Sequence, residues 1–517
     1  MSDTVTKGEP KDATADELPL PKFSYSFARD KGLIVLARRE PGFVVGQKKP
    51  SENVQENIWA RIEARRFLGR PVTLEDLPDD IFERRLSEIY SVEGISTDEL
   101  GATGDEDLSS LAEGLPKTAD LLDSEDDAPV IRLINALIAE AVKTKASDIH
   151  IEPYEKEVSV RLRIDGVLRE VLNLPARMTP VLTSRVKVMA RLDIAEKRVP
   201  QDGRISISLG RRAVDVRIST LPSRFGERVV MRLLDKEQAR LDLDTLGMSS
   251  ALLGRFKSLL QRPNGIILVT GPTGSGKTTT LYGALSLLND PSRNILTVED
   301  PVEYALDGVG QTQVNTKVGM TFAAGLRAIL RQDPDIVMVG EIRDVETAQI
   351  AVQASLTGHL VLSTVHTNSA VGAMTRLRDM GVEAFLLSST LAGVMAQRLL
   401  RQLCPACKVP YEAEAAQLHL LGASPEEAVT LYKPAGCGRC NHTGYEGRVG
   451  VYELVIADEA LKKMIHEDAS EQELANHAFR NAQTLLQNGF AHARNGITSV
   501  EEVLRVLQKD QAEESLS

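Results

Sequence analysis

The sequence is poor in cysteine, in aromatic residues and in long apolar stretches. Four cysteines in 517 residues are too few for a disulfide-stapled secreted protein. Aromatic residues make up 4% of the chain, and Trp59 is the single tryptophan. No apolar run approaches the roughly 18 residues that a membrane-spanning helix needs, and the polar start MSDTVTKGEP lacks the apolar core of a secretory signal. We therefore expect a cytosolic protein.

Hydrophobic residues form 42% of the chain and charged residues 26%, which is ordinary globular composition. At about 150 residues per domain, the length predicts three or four domains. The net charge of −12 argues against a general nucleic-acid binder. That charge is mostly local, because residues 98–127 contain eleven acidic side chains and one basic one, Lys117. We expect this stretch to be a flexible acidic linker.

The linker separates segments of different pattern. After a polar tail of about 22 residues, the chain up to Thr97 alternates short apolar patches with charged helical stretches, which predicts a small, mostly helical module. Because residues 1–97 lie beyond the linker and have no catalytic motif, we expect them to dock a partner. Residues 128–240 open with the amphipathic helix VIRLINALIAEAV and continue with alternating strands, which predicts an α+β, PAS-like module. Residues 247–506 contain the apolar strands GIILVT, NILTVE, DIVMVG and HLVLST between helices. This pattern predicts an α/β domain with a parallel sheet covered on both faces.

A phosphate-binding loop follows the first of these strands. Residues 271–278 match G-x-x-x-x-G-K-[ST] between an apolar strand and a helix, and this context makes a chance glycine-rich turn a poor alternative. Lys277 would reach the β- and γ-phosphates of ATP, and the Thr278 hydroxyl would ligate Mg²⁺. The predicted ATP-binding residues are Gly271, Pro272, Thr273, Gly274, Ser275, Gly276, Lys277, Thr278 and Thr279.

Three further side chains follow apolar strands of the same domain. Glu299 and Glu341 are candidates for orienting water or holding the metal, and His366 is a candidate γ-phosphate sensor. The alternatives are a solvated acidic turn for Glu299, a strand that happens to end in glutamate for Glu341, and a structural histidine for His366.

The cysteines form two knuckles, Cys404/Cys407 and Cys437/Cys440, within residues 404–440. Two such pairs can complete a closed tetrahedral Zn²⁺ site of structural role. A disulfide pair and incidental thiols are the alternatives.

These residues resemble the secretion ATPases that drive type II secretion and type IV pilus machines. The resemblance rests on GPTGSGKT, ILTVEDPVEY, LRQDPDIVMVGEIRD and STVHTN. The segments LLDSEDDAPVIRLIN, ASDIHIEP and VPQDGR are similar to the general secretion pathway protein E family. The similarity covers roughly residues 121–506, whereas the N-terminal module shares only a weak pattern around Phe27 and Gly32.

The resemblance implies a RecA-like ATPase domain and a homo-hexameric ring with ATP between the second module and that domain. It also implies catalytic arginines at Arg217 and Arg232 of the second module and at Arg327 and Arg331 of the ATPase domain. From residues alone, strand-edge solvation would explain Arg217 and Arg232.

The expected function is an ATP hydrolase that powers type II protein export by pseudopilus assembly, peripheral to the cytoplasmic face of a bacterial inner membrane. The expected partners are platform proteins similar to the type II secretion proteins L and F, with L-like protein binding residues 1–97 and no nucleic acid involved. A type IV pilus extension ATPase is the nearest alternative. A DNA-translocating ring and a nucleotide-gated scaffold that hardly hydrolyses ATP are more distant ones.

Overall fold

The computed structural model describes residues 20–21, 23, 27–28, 31–39, 41–48, 62–78, 81–82, 85, 108–113, 128–209, 212–235 and 242–514. The chain divides into two compact units, Met1–Asp235 and Lys236–Ser517. Trp59 and most of the predicted acidic linker lie outside the described residues. Within them, no helix combines the length and the apolar character needed to cross a bilayer.

The N-terminal module contains a three-stranded sheet in the order β1-β2-β3. Its strands are β1 (Leu33–Arg39), β2 (Gly42–Lys48) and β3 (Val72–Leu77), and residues 62–68 are helical. β1 and β2 pair antiparallel and β2 and β3 parallel around a small core that includes Ile34, Val45 and Phe82. The prediction of a mostly helical module missed these strands. Six of the seven β2 residues are buried, so the alternation that marks a half-buried strand is absent.

A short helix, α1 (Leu108–Glu113), lies inside the stretch predicted to be a flexible linker. Leu108 and Leu111 pack against the core of the module that follows. These residues are therefore helical and packed, and the flexible character of the rest of 98–127 stays a prediction.

The second module is an α+β unit with a six-stranded antiparallel sheet in the order β6-β5-β4-β9-β8-β7. Two helices bury their apolar faces against it, around residues such as Leu133, Ile149, Leu182 and Val216. Its elements are α2 (Ala128–Lys143), β4 (Asp148–Pro153), β5 (Glu157–Ile164), β6 (Val167–Pro175), α3 (Thr179–Met189), β7 (Gln201–Leu209), β8 (Arg212–Ser223) and β9 (Gly226–Asp235).

The second unit is built on a seven-stranded sheet in the order β12-β11-β13-β14-β10-β15-β18. All pairs are parallel except the last, β15 with β18. The strands are β10 (Gly265–Thr270), β11 (Ile295–Glu299), β12 (Gly310–Gln313), β13 (Ile336–Val339), β14 (Leu360–Val365), β15 (Leu391–Leu403) and β18 (Tyr445–Ile456), with the separate pair β16 (Val409–Glu412) and β17 (Thr430–Lys433).

Helices cover both faces of this sheet, which confirms the predicted α/β domain. One face carries the core around Leu326, Val352 and Met374, and the other carries the core around Phe256 and Tyr282. The helices are α4 (Ser250–Leu260), α5 (Lys277–Leu288), α6 (Phe322–Ile329), α7 (Val345–Leu356), α8 (Ala370–Asp379), α9 (Ala384–Thr390), α10 (Ala415–Leu420), α11 (Glu459–His466), α12 (Glu471–Ala478), α13 (Leu485–Arg494) and α14 (Val500–Glu514).

Candidate functional site

The phosphate loop leaves the buried strand β10 and enters helix α5 at Lys277. Three of its glycines, Gly271, Gly274 and Gly276, have φ values of 147°, 82° and 87°, a region that residues with a Cβ rarely adopt. A Cβ on Gly276 would also lie 2.8 Å from Nε2 of Gln397. The loop therefore needs glycine for conformation and for space, as a phosphate cradle does.

Two features of the loop suit a bound phosphate. The Ser275 side chain is buried, and its hydroxyl has no hydrogen-bond partner among the described residues. Thr278 and Thr279 are exposed in the first turn of α5, where the helix N-terminus offers free N–H groups. The residues predicted to bind ATP and Mg²⁺ are thus grouped at one helix start.

Lys277 is 91% buried, and its ammonium group donates to the carbonyl oxygens of Gly271 at 2.7 Å and Pro272 at 3.0 Å. Burial lowers the pKa of Lys277 from 10.5 to about 8, with the positive charge of Arg398 acting in the same direction and Glu341 opposing it. The lysine is therefore held in the loop by neutral carbonyl oxygens, and Glu341 compensates its positive charge only in part. A bound phosphate would supply the remaining negative charge.

Glu341 and His366 lie together beside this lysine. Glu341 follows β13 and His366 follows β14, and their Oε2 and Nε2 atoms are 3.4 Å apart. Arg343 contacts the other Glu341 oxygen at 2.5 Å. The pKa of His366 is lowered, chiefly by burial and then by the positive charge of Lys277. The strand edge therefore brings the predicted carboxylate, histidine and lysine into one electrostatic group.

The histidine loop is fixed to the strand that carries the phosphate loop. The Thr270 hydroxyl, at the end of β10, accepts from the Thr367 backbone N–H at 2.9 Å. It also lies 3.1 Å from the Val365 carbonyl oxygen. These two hydrogen bonds hold the backbone on either side of His366 beside the phosphate loop, and they do not depend on the His366 side chain.

Glu299 is 97% buried at the end of β11, and both of its oxygens accept hydrogen bonds. Oε1 accepts from the Thr297 hydroxyl at 2.6 Å and from Gln311 Nε2 at 3.0 Å, and Oε2 accepts from the Tyr282 hydroxyl. The two predicted carboxylates thus differ in environment. Glu341 contacts the guanidinium group of Arg343 and the ring of His366, whereas Glu299 is held by neutral donors.

Sequence reasoning missed two residues of the site: Gln397, which bonds to the phosphate loop, and Arg398, which bonds to the segment that follows His366. Gln397 of β15 donates to the Ser275 carbonyl at 2.8 Å and accepts from the Thr280 hydroxyl at 2.8 Å. Arg398 is 98% buried and donates to Oδ1 of Asn368 at 3.2 Å. The one available signal was a glutamine and an arginine interrupting the apolar run of β15.

Arg217 and Arg232 lie side by side on one face of the second module's sheet. They are register partners on β8 and β9, and Arg204 of β7 continues the row. Arg232 donates to Asp148 at 2.9 Å and remains about half exposed. The two predicted arginines therefore form part of a basic row on the face opposite the packed helices.

Arg327 and Arg331 occupy the end of α6. Arg327 forms an ion pair with Glu346 of α7 at 2.5 Å, and Arg331 donates to the Arg327 carbonyl at 2.9 Å. The neighbouring Gln332 carbonyl accepts from Asn294, just before β11 begins, so Arg331 lies toward the amino ends of the strands. Within one chain the described contacts do not bring this pair to Lys277, and their predicted role stays a prediction.

The four cysteines form one cluster, and their four sulfur atoms lie within 4.8 Å of one another. The Cys404–Cys437, Cys407–Cys440 and Cys437–Cys440 sulfur distances are 3.9, 3.8 and 3.7 Å. A tetrahedron with Zn–S bonds of about 2.3 Å has edges of about 3.8 Å, whereas a disulfide needs about 2.0 Å. The spacing fits a tetrathiolate zinc site.

Cys440 has the surroundings of a thiolate ligand. The backbone N–H groups of Cys437 and Gly444 both lie 3.2 Å from its sulfur. Burial raises the pKa of the Cys440 thiol, but these donors outweigh burial and lower it to about 6. The backbone donors therefore favour the thiolate form of Cys440, whereas burial raises the pKa of Cys407 to about 11.

Comparisons with known proteins agree with this geometry. Residues 123–505 match the family model described as type II/IV secretion system protein. Residues 22–90 match a second model, described as a domain of GSPII protein E, so the N-terminal module has a family match where only a weak pattern was apparent.

Relatives match along nearly the whole chain. The type II secretion system ATPase E of Vibrio cholerae is 58% identical over 457 residues, 88% of this chain and 91% of that protein. The type II secretion system protein E of Pseudomonas aeruginosa is 54% identical over 501 residues, 96% of this chain and 99% of that protein.

A solved structure supports the fold. The X-ray structure of the Legionella pneumophila ATPase DotB has a TM-score of 0.53 and 20% identity, and covers 72% of this chain and 94% of its own. Because the family model spans most of the chain and the relatives are more than half identical, the chain belongs to the type II/IV secretion system protein family and is an ATP hydrolase.

Proposed function

We propose that this ATPase is a Mg²⁺-dependent hexamer that powers protein export through a type II secretion system by driving pseudopilus assembly. The observation that carries the proposal is the grouping of Lys277, Glu341 and His366 at the carboxyl edge of one parallel sheet. The names and high identity of the secretion relatives support the choice of machine.

In this proposal the phosphate loop and the start of α5 hold the nucleotide. Lys277 exchanges its carbonyl contacts for phosphate oxygens, and the exposed Thr278 offers a hydroxyl to the metal. Mg²⁺, when bound, neutralises charge on the β- and γ-phosphates. His366, next to Glu341 and within the field of Lys277, responds to the charge of the γ-phosphate.

The two carboxylates divide the remaining work. Glu341, which already contacts the cationic Arg343, serves the metal and its water. Glu299 orients the attacking water. A carboxylate offers about four acceptor sites, and three donors on Glu299 leave one on Oε2 for a water proton.

The arginines stabilise the charge that develops during phosphoryl transfer. The half-exposed Arg232 and its neighbour Arg217 suit contact with phosphates brought to this face in the ring. A cationic donor of this kind can contribute factors of about 10³–10⁵ in rate. Arg327 and Arg331 of the ATPase domain are assigned the same role.

We assign the four cysteines to a structural Zn²⁺, supported by their sulfur spacing. The N-terminal module docks on an L-like inner-membrane protein, with an F-like platform protein as second partner, and this holds the ATPase at the cytoplasmic face. The match of residues 22–90 to their own GSPII protein E domain model supports a separate docking module.

Two matched variants test the carboxylate roles. Glu299→Gln and Glu341→Gln keep size and remove charge, so both should lower kcat by at least about 100-fold. Glu299→Gln should bind Mg·ADP with wild-type affinity. In Glu341→Gln, the affinity for ADP should depend less on Mg²⁺ than it does in the wild type. Equal kcat in wild type and Glu299→Gln would remove the water-orienting role.

The machine is tested with the full-length chain. Light scattering with and without Mg·ATP measures the molar mass and hence the number of chains in the particle. A chain that stays monomeric in every nucleotide state would contradict the hexamer. Capture by the cytoplasmic part of an L-like secretion protein, but not by its type IV pilus counterpart, is the expected result. The reverse pattern would favour the pilus extension ATPase.

A further inference from the structure

The hydroxyl of Tyr282 connects three elements behind the phosphate loop. It lies on α5, donates to Glu299 Oε2 at the end of β11, and accepts from the Glu303 backbone N–H at 3.2 Å. Tyr282 is fully buried, and its ring meets that of Tyr304 edge-on at 6.0 Å. One phenol group therefore links the nucleotide-binding helix, a predicted catalytic carboxylate and the loop that follows it.

The partners of Glu299 on its other side are themselves fixed. Gln311 of β12 donates to Glu299 and also to the Tyr304 carbonyl at 3.0 Å, and it accepts from the Leu306 backbone N–H at 2.8 Å. Since Tyr282 and Gln311 are each held by contacts outside β11, the position of this carboxylate is set by the network as well as by its own strand.

The position of Tyr282 on α5 relates this network to the predicted nucleotide site. Residues four apart on a helix share a face, so Tyr282 lies one turn below Thr278, the predicted metal ligand. Burial, followed by the contact with Glu299, raises the pKa of Tyr282 above its usual range, so the phenol keeps its proton and remains a donor. The same helix thus holds Glu299 with its second turn and, in the proposed function, would hold the phosphates with its first.

We infer that Tyr282 is a positioning residue for ATP hydrolysis, because it sets the place of Glu299 relative to the helix that holds the phosphates. This inference rests on the proposed role of Glu299. A group that orients water must be held to a fraction of an ångström, since small misplacements cost large factors in rate. Tyr282 is fully buried and donates to Glu299, so in this inference it acts through the carboxylate.

Tyr282→Phe removes the hydroxyl and keeps the ring packing. In the full-length protein we expect kcat to fall about 10-fold while KM for ATP and affinity for Mg·ADP stay within about twofold. Tyr445→Phe is the matched control. Tyr445 is also buried, and its hydroxyl shares a hydrogen bond of 2.8 Å with the Ser499 hydroxyl, outside the contacts that support the phosphate loop. The control should retain wild-type kcat.

The double variant separates positioning from general loosening. If Tyr282 acts through Glu299, Tyr282→Phe should cause no further loss of kcat in a Glu299→Gln background. Losses that multiply would overturn the inference, and so would wild-type kcat in Tyr282→Phe beside an impaired Glu299→Gln. Wild-type kcat in Glu299→Gln would refute the role of Glu299 and the inference with it.

Gln311→Met provides a second route to the same network if Tyr282→Phe fails to fold. It removes one of the two donors to Oε1 at similar side-chain size, and a loss of kcat at constant KM is expected. An unchanged kcat in a folded Gln311→Met protein would count against positioning by this network.

Discussion

Nucleotide binding should be coupled to the uptake of a proton at alkaline pH, because Lys277 of the phosphate loop readily loses its proton in the free protein. Burial and Arg398 lower the pKa of Lys277 to about 8. Phosphate oxygens at the Lys277 ammonium group would favour its charged form and raise the pKa toward its ordinary value of 10.5. The lysine is then neutral in much of the free protein and charged in the complex.

The size of the effect follows from these two values. With a free-state pKa of about 8, about 0.1 of Lys277 is neutral at pH 7 and about 0.9 at pH 9. Phosphate groups with a second pKa near about 6 are fully ionised above pH 8 and contribute no proton change of their own. The affinity for Mg·ADP should thus be highest below pH 8, and it should fall by up to about tenfold per pH unit between pH 8 and pH 10.

Calorimetry of Mg·ADP binding in buffers of different ionisation enthalpy measures the number of protons taken up on binding. We expect about 0.9 proton taken up per site at pH 9 and about 0.1 at pH 7. Lys277→Arg is the control, since arginine stays charged throughout, and its uptake at pH 9 should vanish. Equal uptake at pH 7 and pH 9 in the wild type would show that burial does not lower the lysine pKa as argued.

Three further outcomes follow from other contacts. Cys440→Ser should reduce bound zinc from one per chain and lower the melting temperature, and full zinc content by metal analysis would contradict a four-thiolate site. Gly276→Ala, strained at φ 87° and crowded by Gln397, should lose at least about tenfold in Mg·ADP affinity, and wild-type affinity would show that the loop adapts. Glu502→Gln should destabilise the second unit by about 3 kcal/mol in chemical denaturation, because its buried carboxylate pairs with Arg401 at 2.7 Å. A change below about 1 kcal/mol would mean that the charge is not needed there.

The sequence predicted the ATPase domain well because its signals are local. GIILVT corresponds to β10, and NILTVE, DIVMVG and HLVLST each overlap a parallel strand within one residue at either end. A continuous apolar run followed by glycine or by a polar residue identifies such strands without any tertiary information. Their carboxyl ends then had to meet, which brought Glu341, His366 and the loop together.

Other features could not be read from spacing. Gln397 supports the loop from more than a hundred residues away, and only strand pairing brings it there. The different surroundings of Glu299 and Glu341 depend on Tyr282 and Gln311, whose side chains carry no sequence signal of their own. Likewise, the buried strands of the N-terminal module lack the alternation that would distinguish them from helix.

Strand β15 joins two sites that have been described separately. Gln397 and Arg398 lie against the phosphate loop, and Cys404 follows directly after the end of the strand. Seven residues of extended chain span about 23 Å, and β18 pairs with this stretch along its length. Between the two sites the pairing with β18 shifts register once, at Arg401 to Leu403, which is where an otherwise continuous strand can bend. A displacement of the loop on nucleotide exchange would therefore pass along β15 to this irregular step, and the step decides how much of the movement reaches the four-cysteine cluster.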